Sequence, residues 1–64
     1  MKYKVLKTTD GKYEGRIFYI DNITIENVEH AIGRGFDFYI IKHIDERIVE
    51  ISSEHYTARI EKIG

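Results

Sequence analysis

The chain has 64 residues, 10 Lys and Arg against 11 Asp and Glu, a formal net charge of -1 and no cysteine. A chain this short makes one small domain, residues 1–64. It hides only about 60% of its unfolded surface and has neither disulfide nor thiolate metal site to staple it, so self-association is the most economical support. Balanced charge argues against nucleic-acid binding through a bulk basic excess and leaves room only for a local patch.

Lys2 to Thr8 alternates, with Tyr3 and Val5 on one side and Lys4 and Leu6 on the other, and predicts a first strand. Thr9-Asp10-Gly11-Lys12 is a turn, with Asp-Gly as its hairpin signal. Tyr13 to Ile20 predicts a second strand. Gly15 inside it marks a bulge or a sharp bend. Past Gly15 both faces are apolar, Ile17 and Tyr19 on one and Phe18 and Ile20 on the other. That pattern suits a barrel wall with a core inside and a partner outside.

Asp21-Asn22 is the next turn. Residues 23–32 read two ways. As a strand, Ile23, Ile25 and Asn27 share a face. As a helix, Thr24 caps the N-terminus, Ile25, Val28 and Ile32 align, and Gly33 ends it. The Ile-Thr-Ile run favours strand for 23–28 with a helical turn after it.

Gly33-Arg34-Gly35 is a loop, and Phe36 to His43 predicts a strand with Phe36, Phe38 and Ile40 on one face. Asp45-Glu46 turns the chain into a strand over Arg47 to Ser52. Ser52 to His55 is a further turn. Tyr56 to Ile63 favours a closing strand, with a helix capped by Ser53 as its alternative.

The run Asp10-Gly11-Lys12-x-x-Gly15, with Ile17, Ile20-Asp21-Asn22 and Ile25-Glu26-Asn27, resembles the first motif of Sm-like proteins. Ile40-Ile41-Lys42-His43-Ile44, followed by Ile48-Val49-Glu50-Ile51, resembles the second, and its Lys-His pair is similar to the bacterial Hfq type. Residues 53–64 are more similar to the tail of a Src-homology-3-type barrel. Both families are small, strongly bent five-stranded barrels. The resemblance therefore implies an all-β fold, with at most one short helix near 24–33 or at the C-terminus.

By that resemblance Lys42 contacts a phosphate or base. His43 bonds a ribose or a neighbouring subunit's backbone, beside a uridine pocket. Arg34, between Gly33 and Gly35, is a second cationic candidate, because flanking glycines let an anion approach the backbone. Tyr19 and Tyr39 are the aromatic candidates, since a phenol favours a wet edge or an interface.

No catalytic signature is present: there is no nucleophile elbow, phosphate loop or dinucleotide fingerprint. The three histidines, His30, His43 and His55, show no metal-ligand spacing. No cofactor is expected. The sequence has no long apolar stretch and no signal-peptide layout, so a cytoplasmic protein without a membrane partner is expected. Two functions fit. One is a non-enzymatic, self-assembling module that binds RNA or a nucleotide. The other is a small protein–protein interaction module, such as a phage-type inhibitor of a host protein.

Overall fold

Alternation builds the first strand as its sequence predicts. Strand β1 (Lys2–Thr8) turns Tyr3 and Val5 into the core and Lys4 to solvent. The computed structural model describes residues 1–35 and 39–64. After β1 come β2 (Ile17–Tyr19), α1 (Ile25–Ile32), β3 (Ile40–His43), β4 (Ile48–Ser52) and β5 (Thr57–Lys62). The strands form one five-stranded sheet in the order β2-β1-β5-β4-β3, with every pairing antiparallel. The fold is of the all-β class with one short helix.

The sheet is not closed, which corrects the expected barrel. Among the described residues β2 pairs only with β1 and β3 only with β4. Closure needs tilted, staggered strands long enough to meet. Here β2 has 3 residues and β3 has 4.

Strand two is shorter than its composition suggests because residues 12–16 are turn. Gly15 sits at φ +88° and Tyr13 at φ +65°. The expected bend at Gly15 is real, and it ends the strand. Val5 still bonds this segment on both sides: its N–H donates to the Arg16 carbonyl at 2.9 Å, and its carbonyl accepts from the Gly15 N–H at 2.7 Å. Phe36 and Phe38, expected at the start of the next strand, lie outside the described residues.

Residues 25–32 are helical, so strand over 23–28 is corrected. Thr24 is extended at φ -119° and ψ 157°, and its hydroxyl accepts from the Asn27 N–H at 3.2 Å. That bond satisfies an otherwise orphaned donor of the first turn. Val28, Ala31 and Ile32 form the buried stripe, with Ile25 half-buried beside it. Packing of this stripe outweighs the weak helix propensity of β-branched residues.

Gly33 closes the helix in the left-handed region, φ 75°, and its N–H donates to the Glu29 carbonyl. The 12–16 turn docks on this helix end. Arg16 Nη1 donates to the Ala31 carbonyl at 2.8 Å, which satisfies a last-turn carbonyl and places a cation at the negative end of the helix. A Cβ on Gly33 would lie 2.9 Å from the Tyr13 ring. Gly33→Ala is therefore expected to destabilise the protein by about 1–3 kcal/mol, from left-handed backbone strain and the displaced ring. Urea unfolding should show this loss. In a Tyr13→Gly background, only the backbone part should remain.

The core joins one face of the sheet to α1. Val5, Ile51 and Ile60 are fully buried there, with Val28 and Ile32 from the helix. Tyr3 and Phe18 stack with ring centroids 5.8 Å apart. The expected closing strand over Tyr56 to Ile63 forms as β5, the centre of the sheet.

Candidate nucleic-acid interface

Among the described residues nothing covers the other face of the sheet, and a single extra residue decides what it displays. The pairing of β1 with β5 shifts between Val5 and Lys7, so Leu6 is a bulge. Strict alternation would send Lys7 to the core side with Tyr3 and Val5. One inserted residue resets the parity. Lys7 then lies opposite Arg59 on the outer face, while Thr8 turns inward opposite Ala58.

A charged row results. Lys42 lies opposite Glu50, Glu50 opposite Arg59, and Arg59 opposite Lys7, one from each of β3, β4, β5 and β1. With strands about 4.8 Å apart the row is about 14 Å long. Arg59 Nε donates to Glu50 Oε2 at 3.0 Å. Among the described residues this is the only hydrogen bond of the Arg59 guanidinium. The Lys7 end of the row opens into a concavity of about 410 Å³, lined also by Thr8, Thr9 and Thr57.

A second row runs Ile48, Glu61, Lys4, Ile17. Beyond it Lys2 lies opposite Tyr19, which is 73% exposed. Among the described residues the outer face therefore carries five cations (Lys2, Lys4, Lys7, Lys42 and Arg59) and two carboxylates (Glu50 and Glu61). The whole chain has a net charge of -1. Charge is segregated: the open sheet face is basic, while loops and helix hold most of the acids.

Two of those acids brace turns. Asp10 accepts the Lys12 N–H at 3.0 Å and a 3.2 Å bond from the Thr8 hydroxyl. Asp45 accepts the N–H groups of Arg47 at 2.7 Å and Ile48 at 2.8 Å. These backbone bonds hold both carboxyls below their ordinary value, led by Lys12 for Asp10 and Arg47 for Asp45. Both stay ionised and tied to their turns at neutral pH.

The expected site residues are scattered over this frame. Lys42 and Tyr19 share the outer face, on strands at opposite edges of the sheet. His43 follows Lys42 in an extended strand and so turns to the other face, in register with buried Val49. A ligand lying flat on the outer face meets Lys42 without His43. Tyr39 is exposed just before β3. Arg34 lies beyond the C-terminal end of α1, its guanidinium 4.1 Å from the centroid of the buried Tyr56 ring. Burial pushes the Tyr56 phenol up. Arg34 is thus stacked as a cation over an aromatic face.

Four basic residues of the face, Lys2, Lys4, Lys7 and Arg59, did not stand out as a site in the sequence. The spacing of Lys2 and Lys4 was a usable signal, since alternate residues of a strand share a face.

No family model matches this chain, and no curated protein or solved structure matches it. No helix among the described residues is long and apolar enough to cross a membrane. Among the described residues, no three His, Asp or Glu side chains gather as a metal centre would need.

Proposed function

We propose that the chain is a non-enzymatic module that binds single-stranded RNA across the open face of its sheet. The observation that carries this reading is the segregation of charge. Among the described residues, five cations against two carboxylates lie on one sheet face, the face away from the helix, in a chain whose net charge is -1. A phosphate backbone binds by displacing counterions from such a surface, and net charge does not measure that local potential. Tyr19 stands at one edge with Lys2 opposite it, so a base can stack on the phenol while its phosphate meets the ammonium. Lys42 supplies the cation at the far edge. On this reading Lys42 contacts the strand, while His43, on the opposite face, does not.

Self-assembly belongs to the same reading. Among the described residues both edge strands are unpaired on one side, and Ile17 and Ile40 stand exposed on them. An open strand edge is a template for pairing with another chain.

The test is titration of a short single-stranded RNA at low salt, followed by amide chemical shifts, with light scattering on the same sample. Shifts should concentrate on β1, β5 and the outward positions of β3 and β4. Affinity should fall steeply with salt, and the mass should exceed 7.6 kDa. No binding at low salt and high concentration would overturn the RNA reading. The exposed apolar pair Ile17 and Ile40 favours a second reading, docking of an acidic protein surface. In that case truncation of Tyr19 should dominate, as interface hot spots do.

A further inference from the structure

We infer that the concavity at the Lys7 end of the charged row is a subsite for the terminal phosphate of the bound strand, a phosphomonoester. This inference rests on the RNA-binding reading above and deepens it.

Three features converge. The first is charge. Lys7 and Arg59 line the concavity with Glu50 and leave it with one net positive charge. A phosphomonoester carries about -1.5 to -2 at pH 7, whereas an internal phosphodiester of the backbone carries a single charge. A site of net positive charge attracts the more highly charged end of a strand more strongly than its middle.

The second is donor geometry. Glu50 Oε2 takes the Arg59 Nε hydrogen at 3.0 Å. That contact fixes the guanidinium plane and leaves its two terminal nitrogens free to present a fork to an incoming oxyanion. Lys7, directly opposite Arg59, brings an ammonium from the neighbouring strand. Glu50 is a positioning residue here, because it acts through Arg59.

The third is position. β1 ends at Thr8, where the chain turns. Thr9 and Thr57 clasp each other there: the Thr57 N–H donates to Thr9 Oγ1 at 2.8 Å, and the Thr9 hydroxyl donates to the Thr57 carbonyl at 3.2 Å. The Thr57 side chain points outward beside Arg59, and its hydroxyl can donate to the phosphate. A strand running along β1 from the Lys2 and Tyr19 end reaches the concavity last, so an end group falls there.

The experiment compares one RNA hexamer in three forms, with a 5′-phosphate, with a 3′-phosphate and with hydroxyls at both ends. Inorganic phosphate is titrated in parallel with amide shifts as the readout. One phosphorylated form should bind about tenfold tighter than the hydroxyl form, the scale of a charge-assisted fork. Which of the two forms gains gives the strand direction. Inorganic phosphate should shift Lys7, Thr57 and Arg59. Arg59→Gln should erase the preference while leaving the circular dichroism spectrum unchanged. Lys2→Gln, at the other end of the face, should weaken all three hexamers alike.

Equal binding of the three forms, with Arg59→Gln weakening them equally, would overturn the subsite and leave the RNA reading standing. Failure of every hexamer to bind would overturn the RNA reading, and inorganic phosphate would then decide the subsite alone. Shifts confined to Lys7, Thr57 and Arg59 would sustain it, and their absence would end it. Tighter binding of a phosphothreonine peptide than of either phosphorylated hexamer would overturn RNA as the source of the phosphate.

Discussion

Ile60→Ala should remove about 2–5 kcal/mol of stability, the usual cost of truncating a buried isoleucine and leaving a cavity. Ile60 has no exposed surface, and it lies in the central strand with Val5 and Val49 directly opposite on either side. A cavity there has sheet on both flanks and cannot collapse without moving three strands at once. A domain of this length holds about 3–10 kcal/mol in total. The variant is therefore expected to be largely unfolded on modest warming, with loss of near-ultraviolet dichroism and a steep drop in the urea midpoint. Ile60→Val, which removes one methylene, should cost only about 0.5–1.5 kcal/mol. A loss below about 1 kcal/mol for the alanine variant would mean that the core is not centred on β5.

How far the sequence reached depends on how local each determinant is. β1 was legible over its whole length because Tyr3 and Val5 alternate with lysines and Asp-Gly follows. β5 was legible for the same reason, with Ala58 and Ile60 at alternate positions. The helix was mistaken for strand at its start because Ile23-Thr24-Ile25 reads as strand by propensity. The deciding facts are the Thr24 cap and the burial of Val28, Ala31 and Ile32 against the sheet, and the second of these is tertiary. The second strand was read as too long because Tyr13 looks like strand composition. A tyrosine at φ +65° cannot be foreseen from side-chain preference.

The charged outer face was harder to see than the fold. Lys42 stood out through its resemblance to a motif, and Tyr19 through its phenol, which favours a wet edge or an interface. Lys7 and Arg59 did not, because their meeting depends on a bulge at Leu6 and on pairing between residues 52 positions apart in sequence. Nothing local marks a bulge in Val5-Leu6-Lys7. Overall charge was a poor guide for a related reason. A net charge of -1 describes the chain, while a ligand meets the potential of one face.

That contrast sets the second large effect. Replacing Lys2, Lys4 and Lys7 together by glutamine should weaken RNA binding about hundredfold at low salt. Each ammonium near a phosphate in water contributes about 1 kcal/mol, and 1.4 kcal/mol is tenfold in affinity. The salt dependence should flatten too. Each lost contact to a single strand lowers the slope by about 0.7, so three lost contacts lower it by about 2. Lys4 and Lys7 are exposed, and Lys2 is half-buried at the start of the strand. Glutamine is one atom shorter than lysine, stays polar and adds no like charge opposite Glu61, so the urea midpoint should hardly move. The matched control is Lys12→Gln with Lys62→Gln. Lys12 lies in the turn after β1, and Lys62 lies opposite Tyr3 on the core side of the register. Removing these two cations makes the protein more acidic overall while leaving the outer face intact. Binding should fall by less than about threefold. If the control weakens binding as much per charge removed as the Lys2, Lys4 and Lys7 variant does, the affinity follows overall charge and the sheet face is not the binding surface.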